Sequence, residues 1–174
     1  MTIRQVLKMG NPLLAEPSAP VNNFGSYQLQ TLVQDLKETM AAEDGAGIAA
    51  PQIGVLWRVV MFEVDHNPRY PDAEPVPLTV LCNPVIQPLS DKRVAGWEGC
   101  LSVPGLRGVV SRFDEINYRG YTPEGELIDR NVSGFHARVV QHECDHLDGI
   151  LYPQRISDMR QFGFLDELGH IFSC

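Results

Sequence analysis

The residues best equipped for chemistry stand together near the C-terminal end of the chain: Gln141-His142-Glu143-Cys144-Asp145-His146-Leu147-Asp148-Gly149. The run contains His-Glu-x-x-His. On a helix, positions i and i+4 share a face, so His142 and His146 can grip one metal ion together. Glu143 is placed to act on a metal-bound water rather than on the metal itself. Two histidines are an incomplete site, because a catalytic centre needs a third protein ligand and an open position for water. No third His or Glu follows at the spacings of the familiar zinc peptidases. The candidates elsewhere are Cys100, His136, His66, His170 and several carboxylates. His136 points to a different side of the helix from His142, and His66 and His170 fall in expected surface segments. Cys100 lies in a Gly-flanked bend, Gly99-Cys100-Leu101-Ser102-Val103-Pro104, and is the best of them.

The helix that must present these groups can be drawn at about 100° per residue. Phe135, Val139, His142, Glu143 and His146 then share one arc. Ala137, Val140, Cys144 and Leu147 share a second, apolar arc. Arg138, Gln141, Asp145 and Asp148 fall on the narrow stripe that remains. So thin a polar stripe predicts a helix covered by protein on most sides. Ionisable groups on its buried face need a partner or a metal.

Around this helix the chain divides as follows. Residues 1–25 read as an extended arm broken by Pro12, Pro17 and Pro20. Leu29, Leu32, Val33, Leu36 and Met40 recur at helical spacing, predicting a helix over 26–43 that ends before Gly45. Gly45-Ala46-Gly47-Ile48-Ala49-Ala50-Pro51-Gln52-Ile53-Gly54 is rich in small residues and lets another backbone come close. Strands are expected over 57–64 and 78–86, with Pro84 marking an edge or a bulge. Between them 67–77 is a proline-studded loop. Residues 107–121 read as one strand, 122–125 as a β-turn and 126–132 as the return strand. Ser133 is the expected N-cap of the motif helix. Residues 150–152 suggest a short strand and 157–171 a last short helix.

The 174 residues fit a single domain, 1–174, with a sizeable core. A hydrophobic share of 44% and a charged share of 21% are those of a soluble globular protein. A net charge of −8 argues against a nucleic-acid-binding surface. No apolar run reaches membrane-spanning length, and Met1-Thr2-Ile3-Arg4 does not open like a signal peptide, so a cytoplasmic location is expected. Cys82, Cys100, Cys144 and Cys174 are too widely spaced for a disulfide framework. Cys144, on the apolar arc, is expected to be core.

Three stretches together resemble peptide deformylases of the bacterial and organellar type: Gly45-Ala46-Gly47-Ile48-Ala49-Ala50-Pro51-Gln52, Glu98-Gly99-Cys100-Leu101-Ser102 and Gln141-His142-Glu143-Cys144-Asp145-His146. They stand in the family's order and at similar separations, and the resemblance runs from the N-terminal helix through Leu151. It implies an α+β fold, with short antiparallel sheets wrapped around the central motif helix, an outer N-terminal helix and a short C-terminal helix. It implies that Cys100, His142 and His146 bind one divalent ion, usually iron(II), for which zinc, nickel or cobalt can substitute. Gln52 and the backbone N–H of Leu101 would stabilise an oxyanion, and Glu143 would be the general acid/base. The substrates would be N-formyl-methionyl peptides, cleaved to formate and a free N-terminus. An extended peptide would bond to backbone at Ala46, Gly47 and Gly99. Phe135 and Val139 would line the methionine pocket, Arg107 would lie near the site, and Glu98 would pair with an arginine behind the ligands. Some family members dock on the ribosome through a basic C-terminal helix; this chain ends short and acidic, which puts that contact in doubt. Two other readings use the same helix: a zinc endopeptidase, with a third His or Glu ligand, and a structural metal module with four protein ligands and no use for Glu143.

Overall fold

The computed structural model describes residues 3–65 and 74–168. The expected surface histidines His66 and His170, together with Cys174, lie outside the described residues. The first helix, α1 (Tyr27–Ala42), starts where Ser26 accepts a hydrogen bond from the Leu29 N–H at 3.3 Å. Its stripe of Leu29, Leu32, Leu36 and Met40 is buried against Ile48, Val59, Met61 and Leu101.

Eight strands follow among the described residues: β1 (Gly47–Ala49), β2 (Val59–Val64), β3 (Val76–Pro88), β4 (Arg93–Cys100), β5 (Val103–Phe113), β6 (Glu115–Tyr121), β7 (Leu127–Ser133) and β8 (Phe162–Phe164). They form two antiparallel sheets, β1-β2-β3-β6-β7 and β4-β5-β8. Pro84 does mark a bulge: the β3–β6 register shifts between Cys82 and Val85, with Asn83 at φ +52°. The Asn83 side chain binds both backbone groups of Val21 and so pins the N-terminal arm to the kink.

The motif helix, α2 (Gly134–Leu147), lies against the larger sheet. Ala137, Val140, Cys144 and Leu147 pack against Val60, Phe62, Leu81 and Tyr118, as the apolar arc predicts. Ser133 does occupy the N-cap position but makes no side-chain bond there. At the other end Gly149 has φ +72°, and a Cβ there would stand 2.5 Å from the Ala15 carbonyl oxygen. Glycine alone lets the arm cross so close to the helix end.

Three expectations need correction. Residues 107–121 are not one strand. They belong to β5 and β6, in different sheets, which part at Asp114, whose N–H bonds the Lys92 carbonyl and whose carbonyl accepts from Gly134. Residues 150–152 form no strand; a 3₁₀ turn runs over Tyr152–Arg155. The described part of 157–171 is no α-helix but a 3₁₀ turn, Met159–Gln161, leading into β8, which pairs with Leu106–Gly108. The covering expected of α2 extends to its polar stripe, where Arg138, Gln141 and Asp145 pack against the smaller sheet, as described next.

Candidate metal and catalytic site

Cys100 ends β4 and points at the two histidines of α2. The donor atoms of Cys100, His142 and His146 all lie within 4.8 Å of one another, and all three residues are buried. Cys100 Sγ is 3.3 Å from His146 Nε2. His142 Nδ1 is 2.9 Å from Glu98 Oε2. An ionised carboxylate only accepts, so Nδ1 carries the proton and Nε2 keeps its lone pair for the cluster.

The electrostatics favour a cation among these donors. Burial alone pushes the Cys100 thiol up, but the imidazoles of His146 and His142 more than offset it and hold the thiol well below the usual cysteine range. Burial likewise pushes His142 down, and its bonds to Cys100 and Glu98 reverse the sign. One thiolate and two imidazole nitrogens are a donor set that suits zinc, ferrous iron, cobalt or nickel. His136, the rival on the same helix, lies elsewhere, its ring against Phe62 and Tyr118.

Glu98 is held by four hydrogen bonds from three side chains. Arg112 donates to both its oxygens at 2.9 Å, Arg138 to one at 2.8 Å, and His142 to the other. Burial raises the Glu98 carboxyl, but these donors outweigh burial and keep it ionised, well below the usual carboxylate range. Arg112 reaches on to Asp145, which Arg155 also grips. Arg138 donates in addition to the carbonyls of Val94 and Val110. Gln141 brackets the backbone of Phe113. The polar stripe is thus the seam between α2 and the smaller sheet.

Glu143 sits on the other side of His142, 5% exposed, with Oε2 lacking a hydrogen-bond partner among the described residues. Burial pushes its carboxyl up to about 7, against the opposing pull of His142 and His146. It lies directly over Gly47 in β1, where a Cβ would come within 2.7 Å of its carboxyl carbon. Gln52 occupies a 3₁₀ turn, Ala50–Ile53, after β1. Its Oε1 accepts from the Ala49 N–H at 2.8 Å, which turns the amide nitrogen towards Cys100 Sγ, 3.4 Å away, and Ser102 Oγ, 3.1 Å away. Leu101, 6% exposed, follows Cys100 in the turn between β4 and β5.

These groups open onto one pocket, lined by Gly45, Ala46, Gly47, Gln52, Trp97, Glu98, Gly99, Cys100, Leu101, Phe135, Arg138, Val139, His142 and Glu143. Eleven of the twelve residues singled out from the sequence as catalytic, metal-binding or substrate-binding bear on it directly: Cys100, His142, Glu143, Gln52, Leu101, Ala46, Gly47, Gly99, Phe135 and Val139 as walls, and His146 through Cys100. Arg107 is set apart. Its guanidinium lies against Gly99, and it lines the neighbouring hollow behind the Cys100–Leu101 turn.

The sequence profile of the polypeptide deformylase family matches residues 3–162. The chain belongs to that family. It is 59% identical over 166 residues to peptide deformylase 1 of Nitrosomonas europaea, covering 95% of this chain and 94% of the relative, and 57% identical over 166 residues to peptide deformylase 1 of Bordetella pertussis, with the same coverage. The crystal structure of a Met-Ala-Ser-bound class I type b peptide deformylase from Acinetobacter baumannii superposes with a TM-score of 0.86 at 41% identity, over 89% of this chain and 99% of that one. The Thermotoga maritima peptide deformylase superposes with a TM-score of 0.79 at 32% identity, over 91% of this chain and all of that one.

In this polypeptide deformylase, sequence reasoning missed Trp97, Arg138 and Ser102. Trp97 and Arg138 wall the pocket, and Ser102, fully buried, takes the second amide hydrogen of Gln52. Arg112 carries no motif signal, because its role arises only where β5 meets α2.

Proposed function

We propose that Cys100, His142 and His146 hold one divalent ion, iron(II) in the native enzyme, and that Glu143, Gln52 and Leu101 carry out formyl hydrolysis beside it. Members of the family are metal-dependent enzymes that remove the N-terminal formyl group from nascent peptides, and this chain is one of them. The observation that carries the site reading is the convergence of a buried thiol from β4 with both histidines of α2. The endopeptidase reading finds no support, since the third donor is a cysteine rather than a His or Glu. A closed structural site would leave Glu143 and its pocket without purpose.

The formyl group on a peptide nitrogen is an unactivated amide. When bound, the ion supplies Lewis acidity that acidifies water and polarises the carbonyl. Glu143, with its carboxyl raised to about 7, takes the proton from water and returns it to the leaving nitrogen. The Gln52 N–H that points at Cys100 Sγ turns to the substrate and, with the Leu101 N–H, donates to the oxygen that becomes negative, each worth about 3 kcal/mol of barrier. Water adds to the formyl carbon, the C–N bond breaks, and formate and a free amine leave. Glu98 holds the His142 ring in place throughout.

The substrate side follows from the walls. An extended formyl-methionyl peptide bonds to backbone at Ala46, Gly47 and Gly99, and its methionine side chain lies along Phe135 and Val139. The A. baumannii neighbour with Met-Ala-Ser bound supports a pocket for a methionine-led peptide. Arg107, its guanidinium against Gly99, borders the site from behind the Cys100–Leu101 turn. We read residues 1–174 as one catalytic unit working in the cytoplasm; no helix among the described residues is long and apolar enough to cross a membrane. Contact with the ribosome is transient.

The test is metal content and formate release for wild type, Cys100→Ser and Glu143→Gln, each reconstituted anaerobically with iron, zinc, nickel or cobalt. Cys100→Ser should bind metal poorly and lose most activity, while Glu143→Gln should keep its metal and lose nearly all turnover. Full metal occupancy in Cys100→Ser, or metal loss in Glu143→Gln, would overturn the assignment.

A further inference from the structure

Gln52 and Leu101 are far apart in sequence and belong to different sheets. Gln52 follows β1 of the larger sheet, and Leu101 joins β4 to β5 of the smaller one. No strand ladder among the described residues joins the two sheets, yet two donors that serve one oxygen must keep a fixed separation.

Residues 6–9 of the arm cross this gap. The Leu7 N–H donates to the Gln52 carbonyl at 2.8 Å, Lys8 Nζ to the Leu101 carbonyl at 2.9 Å, and the Met9 N–H to the Ser102 carbonyl at 2.8 Å. Three successive residues therefore bond, in turn, to one donor residue, the other, and its neighbour. Gln52 closes the ring from the opposite side through its bond to Ser102 Oγ.

The arm is itself anchored. Val6, 3% exposed, joins the core cluster that holds Ile53 and Leu101. Leu7 packs against the cluster that holds Cys100 and Val103. Arg4 bonds α1 through its backbone N–H to Thr39 and through its guanidinium to Asp35, 3.5 Å away. Lys8 is the one member of this crosspiece whose bond comes from a side chain, and a charged donor on a carbonyl is stronger than a neutral one.

We propose that Lys8 is a positioning residue for deformylation. With the N–H groups of Leu7 and Met9, it holds the Cys100–Ser102 turn, and hence the Leu101 N–H, at the separation from Gln52 that the oxyanion requires. The inference rests on the oxyanion roles proposed for Gln52 and Leu101. Lys8 touches neither substrate nor metal; it acts through the turn. Loss of its bond leaves the donor present but no longer held, so the chemical step suffers and ground-state peptide binding does not.

The experiment uses metal-loaded enzyme and a formyl-methionyl peptide, with kcat and KM measured separately beside metal content and Tm. Lys8→Met should lower kcat about tenfold, with KM, metal content and Tm close to wild type. Lys8→Arg, which keeps a charged donor of similar reach, should recover most of the loss. Gln52→Leu is measured alongside. If Gln52→Leu lowers kcat and Lys8→Met does not, the positioning role is wrong while the oxyanion reading stands. If Gln52→Leu leaves kcat unchanged, the oxyanion reading fails and the inference falls with it. A loss in Lys8→Met that follows metal content or Tm, or one that Arg does not repair, makes Lys8 a structural tie and overturns the proposal.

Discussion

Gly47→Ala adds one methyl group to the wall opposite the proposed proton carrier. The new Cβ would stand 2.7 Å from the Glu143 carboxyl carbon and 2.8 Å from Cγ. Carbon atoms rest about 3.5–4.0 Å apart, so the carboxyl must retreat by roughly 1 Å. The Gly47 backbone is not in the left-handed region, so alanine fits it without strain. The obstacle is the end of a side chain rather than backbone, and overpacking of this kind costs about 1 kcal/mol of stability. The catalytic cost is larger, since a 1 Å misplacement of a reacting group loses about 10²-fold in rate. Formate release should therefore fall about a hundredfold, at unchanged metal content. The decisive measurement is the Gly47→Ala/Glu143→Gln double variant. If Gly47 acts only by leaving room for Glu143, the two losses overlap and the double variant is no worse than Glu143→Gln alone. A kcat for Gly47→Ala within about threefold of wild type, or two losses that multiply, would refute the reasoning.

Three further outcomes can be stated. Glu98→Gln should weaken metal binding by about 10–100-fold in a chelator competition while fully loaded enzyme turns over nearly as fast; unchanged affinity would show that the His142 ring needs no anion behind it. Acetyl-methionyl peptides should react far more slowly than formyl ones, because the added methyl meets the Gly45–Gly47 wall; equal kcat/KM would remove the basis of that selectivity. His136 is held below its ordinary range, first by burial and then by Arg130, beside the Tyr118 hydroxyl and the Phe62 ring. Its folded state therefore binds a proton less readily than its unfolded state, and stability drains as pH falls below about 6.5 towards the folded value. Denaturant melts at about pH 7.5 and about pH 5.5 should show that loss shrinking in His136→Gln; a loss of equal size would contradict it.

The site was more legible in the sequence than the frame around it. His142 and His146 are local neighbours on one helix, and the stop and start signals around α1 act over a few residues, so pattern alone reaches them. The break at Asp114 was not legible, because 109–119 runs on without a punctuating glycine or proline, and only pairing with different partners separates β5 from β6. The partners of Arg138, Gln141 and Asp145 were hidden for a related reason. Nothing local reveals that Glu98, Arg112 and the Phe113 backbone await them. Lys8 looks like any charge in an extended arm until the Leu101 carbonyl is seen beside it.

The seam of Glu98, Arg112, Arg138 and Asp145 also limits how this protein can change over generations. Glu98 and Arg112 are almost fully enclosed, and the Arg138 and Asp145 side chains are each 12% exposed. Losing one charge strands its partner in the interior, at a cost of about 3–5 kcal/mol, a large share of the about 5–15 kcal/mol that keeps a domain folded. Each position is therefore tolerable only in the company of the others. An apolar quartet of the same volume could fold as well, yet every one-step path towards it passes through an unpaired charge. Gln28 and Lys37, exposed on α1, belong to no such buried cluster and can change one at a time.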